Sequence, residues 1–318
     1  MNRLMKWGIL ILLSALCLMV SCVSGFAQEM PGDYQAVLKE LNRPGDYKGN
    51  VLKVNVPRND LHVFIAGVPT PTPFGFGGWV ALTKGDDGND VMMGDLVLLQ
   101  EEVNPVMSAL LGNGLDVTAL HNHFFWEEPR VFFMHIHGHS KALDIARRVK
   151  PALDLIGHVG SVPASPTSAA AAGALDTGKI AAIVGQKGEQ SGAVYKITLG
   201  RDDLTPRERG TTITARMGLN TWAAFYGTNE DAEIAGDVAM KETEITPVLK
   251  ALRKNGLNIV AIHHHMTTAQ PAVIFLHYWG RGPAEKLAAG FKAALDVLGS
   301  SKHAGMTTHA GDEPAKQP

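Results

Sequence analysis

The 318 residues carry 29 basic and 31 acidic side chains, a formal charge of −2, and 45% of them are hydrophobic. So balanced a chain has no basic excess to hold nucleic acid or an anionic membrane, and its apolar content suits a soluble protein with a real core. Its only cysteines, Cys17 and Cys22, lie near the N-terminus.

Arg3 and Lys6 precede an apolar run from Trp7 to Val20, and small residues lead to Gly25-Phe26-Ala27 before Gln28. This is the pattern of a secretory signal peptide, its apolar run being shorter than the roughly 20 residues of a spanning helix. Two processing sites compete. Small-x-small spacing favours cleavage after Ala27; Met19-Val20-Ser21-Cys22 is a loose lipoprotein box, with Met an imperfect residue at its head. Cleavage after Ala27 removes both cysteines and both leader cations, taking the net charge from −2 to −4 and excluding disulfides, thiolate nucleophiles and zinc knuckles. Cleavage before Cys22 leaves a lipid anchor there as the one membrane contact. A periplasmic or secreted protein is expected, with a membrane-anchored lipoprotein as the alternative.

Beyond the leader, alternating β-rich runs predict strands from Val51 to Val56, Leu61 to Val68, Trp79 to Thr83 and Val91 to Leu99. Val103, Val106, Met107, Leu110 and Leu111 mark one face of a helix, with Pro105 tolerable in its first turn and Asn113-Gly114 as its stop. Glu102 at its start suits the positive end of the helix dipole. Strands follow from Leu115 to His123 and Val131 to His137, then a helix from Ser140 towards Ile156, kinked or interrupted at Pro151.

The whole pattern then recurs at an offset of 142 or 143 residues. Gly49-Asn50-Val51-Leu52-Lys53-Val54 aligns with Gly192-Ala193-Val194-Tyr195-Lys196-Ile197; Arg58, Asp60 and Trp79 align with Arg201, Asp203 and Trp222; Gly94-Asp95 and Glu102 align with Gly236-Asp237 and Glu244. Asn113-Gly114-Leu115 through His121-Asn122-His123 aligns with Asn255-Gly256-Leu257 through His263-His264-His265. So long a period makes each copy a domain rather than a solenoid unit. The expected organisation is a signal peptide at 1–27, a first module at 33–157, a small-residue linker at 158–175, a second module at 176–299 and a disordered tail at 300–318. Each module is expected to be α+β, a mainly antiparallel sheet with two helices. Trp79 and Trp222 read as matching core positions, Gly94-Asp95 and Gly236-Asp237 as strand bends, and Arg58 and Arg201 as structural ion-pair partners.

Gly94-Asp95-Leu96-Val97-Leu98, Glu102-Val103-Asn104-Pro105-Val106, Ala119-Leu120-His121-Asn122-His123 and Pro129-Arg130 resemble the LppY/LpqO family of exported, often lipid-anchored bacterial proteins. The resemblance spans nearly all of the mature chain, implies an envelope location and supplies no catalytic residues. The second copy departs from it, with His263-His264-His265 in place of His-Asn-His and no Pro-Arg after the loop.

Five of the 13 histidines lie between positions 121 and 139 and four between 263 and 277. Alternation places Leu115, Val117, Ala119, His121 and His123 on one strand face, and Val131, Phe133, His135 and His137 on one face of the next. A hairpin pairing Phe133 with His121 and Ala119 with His135 makes His121 and His135 diagonal neighbours. His121, His123 and His135 could then share an ion within the first module, with His137 nearby and Glu127 or Glu128 as carboxylate and general base. Such a set suits zinc, manganese or ferrous iron. His263, His265 and His277 match the three imidazoles, but Ala269 and Gln270 replace the glutamates. Two readings follow: a divalent-metal protein, with a metal-dependent hydrolase as its catalytic form, or a non-catalytic envelope module binding a small ligand or protein, its histidines capping a sheet edge.

Overall fold

A computed structural model describes residues 28–157 and 175–299. The leader up to Ala27, the linker up to residue 174 and the tail from residue 300 lie outside the described residues, as do both processing sites. Among the described residues no helix is long and apolar enough to cross a membrane.

The first module runs α1 Gly32–Leu41, β1 Gly45–Lys48, β2 Val51–Pro57, β3 Val63–Ile65, β4 Val68–Thr70, β5 Gly77–Lys84, β6 Asp90–Leu99, α2 Gln100–Gly112, β7 Asp116–His121, β8 Glu127–Glu128, β9 Val131–Ser140 and α3 Ala142–Leu153. The second runs α4 Thr177–Val184, β10 Glu189–Ser191, β11 Val194–Gly200, β12 Arg207–Glu208, β13 Thr211–Thr212, β14 Asn220–Gly227, β15 Ala232–Met240, α5 Ile245–Lys254, β16 Asn258–His264, β17 Ile274–Gly282 and α6 Ala284–Leu295. The main sheets have the same order, β1-β2-β5-β6-β9-β7 and β10-β11-β14-β15-β17-β16, with every pairing antiparallel. The protein is thus α+β and duplicated. Each module also carries a helix at its front, α1 or α4, that is not among the elements expected from the sequence. The run from Leu61 to Val68 splits into β3 and β4, where Ala66 and Gly67 take positive φ. Pro151 falls inside the last turn of α3, where the helix does not break.

Each sheet is covered on both faces. Helices α1, α2 and α3 bury Val37, Val106, Ile145 and Val149 against Leu52, Val80, Leu96 and Ile136; the second module repeats the arrangement with Ile180, Leu252 and Phe291. The opposite faces of the two sheets meet each other. Val51, Ala81, Val91 and Met93 pack with Met217, Ala239 and Phe275, while Phe76, Val97 and Phe133 pack with Val194, Ala224 and Ala235. The result is four layers, helices outside and two sheets within. Burial on both faces explains why β6 reads as an almost continuous apolar run.

Glu102 and Arg58 fasten one end of the first module. The carboxylate accepts from Leu99 N at 2.7 Å, Arg58 Nη1 at 2.6 Å and Gly157 N at 2.8 Å, so it caps α2 and ties the chain after α3 to it. Glu244 repeats this with Lys241 N, Arg201 and Gly299 N. Arg58→Met should cost about 3–5 kcal/mol, because it leaves Glu102 buried without its cation. Urea unfolding is the check; a loss under about 1 kcal/mol would contradict the argument.

Candidate metal centre and cavity between the modules

The site lies in the layer between the sheets, and strand register builds it. Asn55, Trp79, Asp95, His135 and Ala119 stand directly opposite one another across five strands, so their side chains share the face turned to the partner sheet. Thr198, Trp222, Asp237, His277 and Ala261 form the same row in the second module. The next row towards the β7 end pairs His121 with Phe133, and its counterpart pairs His263 with Phe275. Both edge strands carry an irregularity, between Val117 and Ala119 and between Ile259 and Ala261. It breaks the alternation expected from Leu115 to His123: Leu115 and Val117 pack on the helix side, while Ala119 and His121 turn to the other sheet.

Facing sheets bring the two histidine sets together. His121 lies 3.8 Å from its own counterpart His263, ring centroid to centroid. His123 lies 3.7 Å from His277, and His265 lies 4.0 Å from His135. The last two contacts exchange under the repeat, so the cluster has approximate twofold symmetry. The expected first-module group of His121, His123 and His135 is therefore replaced by groups spanning both modules. Ligand nitrogens within 4.8 Å of one another belong to His121, His263 and His277, and to His135, His263 and His265. His123 stacks on Phe133 at 3.3 Å, as His265 does on Phe275 at 3.4 Å.

The rings present bare nitrogens. Among the described residues, Nε2 of His121, His135 and His277, Nδ1 of His265 and both nitrogens of His123 and His263 are buried without hydrogen-bond partners. His277 Nδ1 meets Gly236 O at 3.3 Å, and His135 bonds the backbone of Gly94 in the equivalent way. A carbonyl acceptor makes Nδ1 the protonated nitrogen and leaves Nε2 as a lone pair aimed inward, the form in which imidazole binds metal. Burial, reinforced by neighbouring imidazoles, holds His123, His135, His265 and His277 well below the usual histidine range. His263 is lowered by the same causes, and burial brings His121 down to about 4. All six are neutral donors near pH 7.

His137 stands apart, its Nδ1 3.9 Å from Glu208 Oε1 of the second module, and belongs to neither three-histidine group. Glu127 and Glu128 do not take the carboxylate role expected of them. Glu127 is buried beside Asn122 Nδ2 at 3.3 Å and Arg130 at 3.2 Å; Glu128 is exposed on β8, and neither lines the cavity described below. The carboxylates at the centre are Asp95 and Asp237, which had read as strand bends. β6 and β15 run through them unbroken. Gly94 is required for close packing: a Cβ there would come within 2.8 Å of Ile136 Cγ1. The signal for Asp95 was a charge repeated inside an apolar strand, in register with His135. Burial pushes Asp95 up to about 8 and raises Asp237 well above the carboxylate range. Asp237 Oδ2 lies 3.7 Å from His265 Nε2.

A cavity of about 470 Å³ opens beside the cluster, lined by His123, His265, His277, Asp95 and Asp237, with Trp79, Trp222, Lys53 and Lys196 around it. The tryptophans are half-buried walls, not core residues. Lys53 Nζ sits 4.7 Å over Trp79 and Lys196 Nζ 4.0 Å over Trp222.

The chain belongs to the family described as Domain of Unknown Function (DUF1259), whose profile matches it twice, at residues 35–155 and 178–297. No curated protein matches it. Among solved structures, the double ringed trimeric shell protein MSM0271 from the RMM microcompartment is 13% identical, over 67% of this chain and 84% of that one, with a TM-score of 0.16. EtuB from Clostridium kluyveri is 12% identical, over 72% of this chain and 93% of that one, with a TM-score of 0.18. At such scores the likeness bears on neither fold nor function.

Proposed function

We propose, for this doubled member of the family, that it is a divalent transition-metal protein whose centre is built jointly by both modules. The observation that carries this is six neutral imidazoles gathered between the sheets, each with a buried nitrogen that has no hydrogen-bond partner among the described residues. Leaving such groups unmade costs about 1–3 kcal/mol apiece, a cost that a ligand-free role does not recover. In a tetrahedral site with 2.0–2.1 Å bonds the nitrogens stand about 3.3 Å apart. The groups within 4.8 Å approach that by modest ring rotation. Nitrogen donors flanked by carboxylates suit zinc, manganese or iron.

In the hydrolytic form of this proposal, an ion held by the imidazoles would polarise a water at the cavity, and Asp95 or Asp237, protonated near pH 7 without the ion and ionised beside the cation, would replace the glutamates as proton acceptor. The leader read from Met1 to Ala27 and the resemblance to exported proteins support an envelope location.

Untagged protein stripped with chelator and dialysed should take up zinc, manganese or ferrous iron. At a free-metal concentration of 100 Kd this adds about 2.7 kcal/mol of stability, or roughly 5–10 °C in Tm. Metal analysis and calorimetry measure it. Stripped protein that takes up none of the three would sink the proposal.

A further inference from the structure

We propose that the cavity beside the histidine cluster binds a small organic dicarboxylate, its two carboxylates held by the ammonium groups of Lys53 and Lys196. The two lysines are repeat equivalents on facing sheets, and both line the cavity. Neither is committed to the protein: among the described residues each ammonium leans on a tryptophan face and has no hydrogen bond or ion pair. Burial, then repulsion from Lys53, brings Lys196 down to about 8, with both effects ranking ahead of attraction from Asp237 or Asp95. Lys53 is lowered too, by burial and by Arg216. Two half-desolvated cations near each other across a cavity are relieved by an anion that bridges them.

Size and lining select the class. A cavity of about 470 Å³ is within the range of small-molecule sites and far exceeds an inorganic oxyanion. Trp79 and Trp222 offer flat apolar surface to a carbon skeleton, while Asn55 and Asn220 supply neutral polar groups. A pair of equivalent cations calls for a ligand with two alike anionic ends.

None of this requires bound metal, so the test uses chelator-stripped, dialysed protein and stands apart from the metal assay. Succinate, titrated calorimetrically, should bind saturably at millimolar concentrations or below. Its neutral analogue succinamide should not bind, and sulfate should bind more weakly. K53M and K196M should each weaken succinate at least about tenfold, whereas K53R and K196R, which keep the charge, should stay within a few-fold of the parent. The proposal is overturned if succinate does not bind, if succinamide or sulfate binds as well, or if the methionine variants bind like the parent. Should a methionine variant not fold, the arginine pair decides: loss of binding in a folded K53R/K196R double variant counts against it.

Discussion

His263→Ala is expected to abolish metal retention, whereas His137→Ala leaves the metal content unchanged. His263 belongs to both three-histidine groups, faces its counterpart His121 at 3.8 Å and has both ring nitrogens buried and unpartnered. Removing it leaves two imidazoles at either group. Losing even an outer hydrogen-bond partner of a ligand costs about 10–100-fold in affinity, and losing a ligand costs more. His137 is the more buried of the two, but it sits against Glu208 and outside both groups. Metal analysis of the two purified variants therefore separates membership of the centre from mere burial. If His263→Ala retains its metal, or if the two variants lose it alike, the joint centre is wrong.

Residue alternation within one copy reaches far into this site. The pairing of Phe133 with His121 and of Ala119 with His135 follows from the hairpin and is what the strands adopt. All six clustered histidines were legible as candidates, because they recur at matching positions. Two things were not legible. That the sheets face each other is a long-range outcome of apolar residues on their second faces, such as Val97, Phe133 and Ala235; no periodicity within a module says which surface covers them. The grouping of His121 with His263 and His277 depends wholly on that packing. The centre's carboxylates were hidden differently. A glycine before Asp95 suggested a bend, but it serves close packing against Ile136, while Asp95 looks across at His135. Glu127, the more conspicuous acid, lies on the loop and is spent on Asn122 and Arg130. Helix α1 follows Pro31, and its Tyr34, Val37, Leu38 and Leu41 stand at i, i+3, i+4 and i+7 against the core, so a helical period was legible there although no helix was expected.

Metal-free protein should be most stable near pH 6.5 and should unfold steeply in mild acid. Seven histidines have folded-state pKa values below the ordinary value: His121 and His137 at about 4, with His123, His135, His263, His265 and His277 also lowered. Below pH 6.5 the unfolded chain protonates them and the folded chain does not, so their contribution is lost as pH falls from about 6.5 towards 4. Four carboxyls act in the opposite sense, Glu127 among them, raised by burial. Asp95 and Glu233 are raised to about 8 and Asp237 is raised too, so between about pH 4.5 and 8 the folded state holds protons that the unfolded state has released. Between pH 6 and 5 seven sites outweigh four, a net difference of about three protons. At about 1.4 kcal/mol per proton and pH unit, stability should fall by roughly 4 kcal/mol for each unit of acidification. That is comparable to the whole stability of a marginal domain. Above about pH 7 the histidines are largely neutral in both states and the raised carboxyls dominate, opposed towards pH 8 by Lys196, which burial lowers to about 8, so stability declines again, more gently, towards pH 8. Urea midpoints of chelator-treated protein at half-unit steps from pH 4.5 to 8 measure the curve. A profile flat from pH 5 to 7, or one rising towards acid, would show that these imidazoles are not held neutral, and with that the donor set proposed for the metal would fall.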